Sequence, residues 1–209
     1  MQIAILGSGL MGGAIGRAWA QAGHNMTFSY ARSQAKLDRL AQETGGSTAP
    51  VAEAVANADA ILLSVHWSRI DDVLTQAGDL AGKTVLNCCV PLDEANETLV
   101  LGPTTSGAEE LAKLRPQAQW VSCFNTNPSE SFAPVRAQKP NPAPQTLMYG
   151  NSPQAKATAA TLIKDAGFAP LDAGGLTTGR YAEPFAMFTA VLAYGQPGGP
   201  ALTYRFSKL

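Results

Sequence analysis

Apolar residues in this chain fall into two alternating patterns: short continuous runs and helically spaced stripes. Residues 2–6 form an aliphatic run that stops at a glycine cluster, which predicts a short buried strand. Met11–Ala22 is rich in alanine and ends at Gly23, which predicts a helix, and Met26–Ser29 predicts the next strand. Leu37, Leu40 and Ala41 then share one helical face within Lys36–Glu43, closed by Gly45 and Gly46. The alternation continues with a helix at Val51–Asn57, a strand at Ala60–Val65, a helix at Ile70–Ala77 and a strand at Thr84–Cys88. Ser106 followed three residues later by Glu109 marks the start of another helix, and Trp120–Phe124 reads as a strand. Alternating strands and helices imply parallel βαβ units, so the expected fold is α/β, a Rossmann-type, doubly wound, mainly parallel sheet.

Residues 133–145 break the pattern with four prolines, at 134, 140, 142 and 144, and are expected to be a surface loop. Beyond them a strand (Thr146–Tyr149), a helix (Pro153–Ala166), a strand (Phe168–Asp172) and a helix from about Arg180 are predicted. The expected organisation is a dinucleotide-binding domain over residues 1–132 and a small α/β extension over 146–209.

Composition narrows the functional classes. The chain has 209 residues, 45% hydrophobic, with 15 basic against 16 acidic side chains. That balance lacks the basic excess a nucleic-acid binder needs, and the apolar content is too high for disorder. The apolar start at Met1–Leu6 has no basic flank and is too short for a signal segment or a membrane span, so a complete, soluble, cytoplasmic protein is expected. Three cysteines, two of them adjacent at Cys88 and Cys89, make neither a disulfide framework nor a spaced metal motif, and no metal site is expected.

Gly7-Ser8-Gly9-Leu10-Met11-Gly12 is G-x-G-x-x-G at a strand-to-helix junction, where the motif has a mechanism. Gly7 permits the turn, Gly9 lets a pyrophosphate approach the backbone, and Gly12 lets the helix pack close to the sheet. Helix N-terminal amides face the anion. The second strand ends Ser29-Tyr30-Ala31-Arg32-Ser33, with Lys36 one turn on and no acid before Asp38. A carboxylate there would accept from the ribose hydroxyls of NAD, whereas Arg32, Ser33 and Lys36 suit the extra phosphate of NADP(H). A solvated basic face is the plainer alternative.

Ligands on such sheets lie beyond the carboxyl ends of the strands. Those ends carry Ser64-Val65-His66-Trp67, Asn87-Cys88-Cys89-Val90-Pro91-Leu92 and Cys123-Phe124-Asn125-Thr126. Asn87, Asn125 and Thr126 suit a carboxamide or a ring edge. His66 is a candidate proton donor or a structural residue, and the cysteine pair is a candidate thiol site or simple packing. His24 is expected to cap the first helix. No Ser-His-Asp or H-E-x-x-H arrangement is present, which suits hydride transfer between two rings, a reaction with little acid–base chemistry.

Several stretches together resemble the NADP-dependent oxidoreductases of the deazaflavin coenzyme F-420. They include Ile5–Gly9, Ala22-Gly23-His24, residues 29–33, Val65-x-Trp67, Thr105–Glu109, Phe124–Thr126 and Lys164–Phe168. Asp172–Leu176, Arg180–Glu183 and Leu192–Tyr194 complete the set. The resemblance implies NADP(H) binding, hydride exchange with the deazaflavin, and homodimers in which the C-terminal element helps to build the site. It implies pyrophosphate contacts for Ser8, Gly9, Leu10 and Met11. Tyr30, Ala31, Arg32 and Lys36 fall at the 2′-phosphate, and Val65, Val90, Leu92 and Ser129 near the nicotinamide. Catalytic positions would be His66 and Asn125, as positioning groups, with Ser64 and Asn87 beside them. Two departures, His66 where many relatives have proline and Asn125 where others have histidine, fall on the acceptor side. The acceptor is therefore a deazaflavin, a flavin, or another small acceptor such as a carbonyl, imine or ferric complex. A non-catalytic NADP(H) sensor is the reading from a different class.

Overall fold

The computed structural model describes residues 1–209. The chain runs β1 (Gln2–Leu6), α1 (Leu10–Gln21), β2 (Asn25–Ser29), α2 (Gln34–Thr44), a two-residue β3 (Ser47–Thr48) and α3 (Val51–Ala56). It continues through β4 (Ala60–Leu63), α4 (Ile70–Ala77), β5 (Thr84–Asn87), α5 (Gly107–Leu114) and β6 (Gln119–Cys123). The last part is α6 (Phe132–Gln138), β7 (Gln145–Gly150), α7 (Pro153–Asp165), β8 (Ala169–Asp172) and α8 (Gly179–Tyr194). The eight strands form one sheet in the order β3-β2-β1-β4-β5-β6-β7-β8. Every pair is parallel except β6–β7, where Ser122 faces Tyr149.

Period-two alternation in the buried strands feeds two cores. Ile3 and Ile5 of β1 point to one face, against Ile15 and Trp19 of α1 and Leu162 and Ile163 of α7. Ala4 and Leu6 point to the other, against Val51 of α3 and Val73 of α4. Trp19 is fully buried and its indole N–H donates to the Leu162 carbonyl at 2.7 Å, so the C-terminal segment is tied to the first helix. β7, β8 and α7 thus extend the same sheet and the same core.

One expectation needs correction. The proline-rich stretch 133–145 is not wholly loop, because α6 occupies Phe132–Gln138. Pro134 sits in the first turn, where its missing N–H has no helical partner to lose, and the other three prolines lie after the helix ends at Lys139. His24 caps α1 through its backbone, its amide donating to the Trp19 carbonyl at 3.1 Å beyond the left-handed Gly23, while its ring reaches elsewhere. Its Nε2 meets Asp165 at 2.9 Å and its Nδ1 meets the N-terminal amine at 3.3 Å.

The predicted Ser106 cap is present, its Oγ accepting from the Glu109 amide at 3.2 Å. A second set of contacts locks α5 to α8. Arg180 donates twice to the Glu109 carboxylate, at 2.9 and 2.7 Å, and Glu183 accepts from the amides of Gly107 and Ala108 at 2.9 and 3.1 Å. Two stretches of the family-like signature, 105–109 and 180–183, are therefore one structural unit. A methyl on Gly179 would lie 2.6 Å from the Ser106 hydroxyl, which explains a glycine at the start of α8.

Glu183 is buried, and burial pushes its carboxyl up to about 7 against the opposing pull of the two amides. Its folded pKa lies above the unfolded value, so the stability it contributes is fully present at acid pH. That contribution is lost as pH rises through about 7. Thermal unfolding of wild type and Glu183→Gln at pH 5 and pH 8 checks this. The fall in Tm between the two should be several degrees smaller in the variant, at roughly 2–4 °C per kcal/mol. Equal falls would remove Glu183 as the cause.

Candidate functional site

The glycine turn links β1 to α1 at the point where strand order reverses, with β2 on one side of β1 and β4 on the other. Gly7 has φ +110, a conformation that L side chains rarely adopt, and a methyl there would lie 2.3 Å from the Ser64 carbonyl oxygen. A methyl at Gly12 would lie 1.9 Å from the Gly7 oxygen. Gly7 is therefore required by packing against the segment that follows β4, and Gly12 by packing against the turn's own backbone. At Gly9 a methyl would meet no protein atom within 4 Å, so that position is open on the ligand side. No side chain caps α1 and no acid lies in its first turn, which leaves its N-terminal amides and positive dipole end available. Ser8 is buried, and its hydroxyl has no partner within the protein. A buried donor left without a partner fits a pyrophosphate oxygen, and the first turn of α1 fits the same anion.

A cleft of about 900 Å³ opens over this turn, between the segments that follow β2 and β4. Gly7, Ser8, Gly9, Tyr30, Ala31, Arg32, Ser33, Lys36, Ser64, Val65 and His66 all line it, so most of the expected cofactor residues come together. Leu10, Met11 and Gly12 form the first turn of α1, just behind the turn. Tyr30 takes φ +61 and its hydroxyl donates to Asp72 of α4 at 2.5 Å, joining the two walls of the cleft. Burial, then Asp72, pushes the Tyr30 phenol up to about 12, so it remains the donor. The Tyr30 hydrogen bond, followed by one from Gln76, holds Asp72 below the usual carboxylate range. Arg69, Asp72 and Gln76 also line the cleft and were not singled out in the sequence. Their only signal was position, within about three turns of the strand end at Val65-His66.

Besides Leu10, Met11 and Gly12, the expected residues Asn87, Val90, Leu92, Asn125, Thr126 and Ser129 do not line the cleft. Asn87 is fully buried, its amide donating to Ser122 Oγ at 3.0 Å and accepting from the Cys89 amide at 3.0 Å, so both ends are used within the protein. Val90 and Leu92 follow β5, and Ser129 lies past β6 with its hydroxyl donating to Glu130 at 2.9 Å.

Both ring nitrogens of His66 are also engaged. Nε2 lies 2.9 Å from the Asp93 carbonyl, which can only accept, so Nε2 carries the proton; Nδ1 then accepts from the Ser68 amide at 3.2 Å. The ring braces the segment after β4 against the segment after β5. Past β6, Asn125 donates to the Tyr149 hydroxyl at 2.7 Å, while its Oδ1 and that of Asn127 are buried without partners. Thr126 Oγ1 meets the Tyr204 hydroxyl at 2.6 Å. The cysteines are free and buried, and burial raises the Cys88 thiol well above its usual range and the Cys89 thiol to about 12. Neither is a nucleophile at neutral pH.

Residues 2–91 match the sequence model of a family described as NADP oxidoreductase, coenzyme F-420-dependent. The matched stretch contains the glycine turn and both walls of the cleft. The match covers 90 of the 209 residues. Over its full length the chain is similar to a solved structure from Arthrobacter sp. FB24, assigned as an F-420-dependent NADP reductase. The two share 27% identity and a TM-score of 0.87, covering 100% of each chain. A hypothetical protein from Sinorhizobium meliloti is also similar, at 27% identity and a TM-score of 0.76, over 99% of this chain and 96% of that one. The metalloreductase STEAP3 of Rattus norvegicus is 30% identical over 131 residues, which are 63% of this chain and 25% of that protein. The chain thus spans about a quarter of the length of that curated relative. The fold is that of the solved reductase structure matched over the full length. No helix is long and apolar enough to cross a membrane.

Proposed function

We propose that the protein is an NADP(H)-dependent oxidoreductase that moves hydride directly between the nicotinamide and a ring acceptor, a deazaflavin such as coenzyme F-420 or a flavin. One observation carries this reading. Arg32 and Lys36 line the cleft without any side-chain partner, at the position where an NAD site needs a carboxylate. When bound, NADPH supplies the hydride. The chain's own groups bind and orient it. The α1 amides and Ser8 hold the pyrophosphate, Arg32, Ser33 and Lys36 hold the 2′-phosphate, and Val65 is placed to pack beside the nicotinamide. The partnerless oxygens of Asn125 and Asn127 suit donors such as a carboxamide NH₂.

Ring-to-ring transfer needs no proton relay at His66, whose nitrogens are already occupied. His66→Ala is therefore expected to keep acceptor-dependent NADPH oxidation within about tenfold. Reduction of a carbonyl or imine with His66 as the acid would lose roughly 100-fold or more. Steady-state kinetics of the variant decides between the two.

Tyr181, Phe188, Val191 and Tyr194 of α8 are exposed apolar residues, and they support a homodimer in which the C-terminal element of one copy closes the acceptor side of the other. The functional test is NADPH oxidation with deazaflavin, FMN, FAD and ferric complexes in parallel. Turnover with a ring acceptor supports the proposal. Turnover with ferric complexes alone redirects it toward metal reduction, and tight NADPH binding with no turnover supports a sensor.

A further inference from the structure

The eight arginines of the chain divide sharply. Arg17 and Arg39 pair with Glu43, and Arg180 pairs with Glu109. Arg115, Arg136 and Arg205 donate to backbone carbonyls. Two have no hydrogen-bond or carboxylate partner, Arg32 and Arg69, and both line the same cleft. They come from separate elements. Arg32 follows β2, and Arg69 lies in the turn Trp67–Arg69 that leads into α4 after β4. β2 and β4 flank β1, so the two guanidinium groups belong to the two walls that rise on either side of the glycine turn.

The one carboxylate lining the cleft, Asp72, makes no hydrogen-bonded ion pair with either, although Arg69 is near enough to help hold its carboxyl low. Asp72 Oδ2 is taken by the Tyr30 hydroxyl, and its Oδ1 by the Gln76 amide. In a chain of net charge -1, this cleft therefore gathers Arg32, Lys36 and Arg69 around one engaged acid. Unpaired guanidinium groups facing one cavity from two elements are the arrangement that grips a phosphate dianion, because each presents a planar fork of N–H donors.

We propose that Arg69 is a second nucleotide-binding arginine that grips the adenosine 2′-phosphate of NADP(H) jointly with Arg32, and so sets the preference for NADP(H) over NAD(H). The proposal rests on the NADP(H) reading of the cleft, and it adds a specificity residue from the far wall.

The test measures Kd for NADPH, NADH and 2′,5′-ADP in wild type, Arg32→Ala, Arg69→Ala, Arg69→Lys and the double variant. Arg69 is exposed, so unchanged thermal unfolding is expected for its variants. Arg69→Ala should weaken NADPH and 2′,5′-ADP by about tenfold or more and NADH by less than about twofold. Arg69→Lys should recover part of that loss. The double variant should lose less than the product of the single losses, because both arginines hold one phosphate. Equal weakening of NADPH and NADH by Arg69→Ala would overturn the proposal in favour of contact with adenine. Wild-type NADPH affinity in Arg69→Ala, with Arg32→Ala impaired, would overturn it while leaving the NADP(H) reading intact. A wild-type protein that does not prefer NADPH to NADH would overturn both.

Discussion

Gly9→Ala is expected to fold with wild-type stability and to lose NADPH binding, whereas Gly12→Ala is expected to lose both. The two glycines sit three residues apart in one motif, yet different physics demands each. Gly9 has φ −74, which alanine adopts readily, and a methyl there meets no protein atom within 4 Å. Its cost falls on the ligand, because the methyl occupies the approach of the pyrophosphate to the α1 amides. Losing two charge-assisted hydrogen bonds amounts to about 3 kcal/mol or more, on the order of a 100-fold weaker Kd. At Gly12 the methyl would lie 1.9 Å from a backbone oxygen, so the turn or the helix must move. Overpacking of that kind costs about 1–3 kcal/mol, and Tm should fall by several degrees. Fluorescence titration with NADPH and thermal unfolding of both variants check the contrast. A Gly9→Ala protein that binds NADPH as wild type does would contradict the placement of the pyrophosphate.

Arg32→Ala is expected to weaken NADPH by about 2 kcal/mol, roughly 30-fold, while leaving NADH almost unchanged. The side chain has no partner inside the protein, so its removal strands no buried group and disturbs no ion pair. The whole effect should appear in the ligand that carries the extra phosphate. Added salt should narrow the difference between wild type and variant, because an open cleft admits counterions. Equal losses for the two nucleotides would assign Arg32 to the adenine or ribose instead.

The features legible in the sequence are those set by local chemistry. Strand runs, helix spacing and the glycine turn identified the α/β alternation, and the reversal of strand order at β1 follows from that topology. The Ser106 cap was legible because an N-cap depends on two residues three apart. What escaped was set by position within an element or by distant partners. Proline count over 133–145 hid α6, because Pro134 falls in the one turn of a helix that tolerates it. Asn87 has the right chemistry for a ligand but spends both amide atoms on Ser122 and Cys89. His66 likewise looks like an acid until Asp93 and Ser68 are found on its ring. Arg69 and Asp72 reach the cleft from a segment about forty residues after Tyr30, and only the pairing of β1 with both β2 and β4 brings those walls together.

The deciding measurement is a single anaerobic turnover of NADPH carrying deuterium at both nicotinamide carbon-4 positions with an oxidised deazaflavin, followed by mass spectrometry of the reduced product. Direct ring-to-ring transfer predicts one deuterium on the deazaflavin ring carbon that accepts the hydride. Reduced deazaflavin carrying only solvent hydrogen, or NADPH bound and left unoxidised, would contradict it.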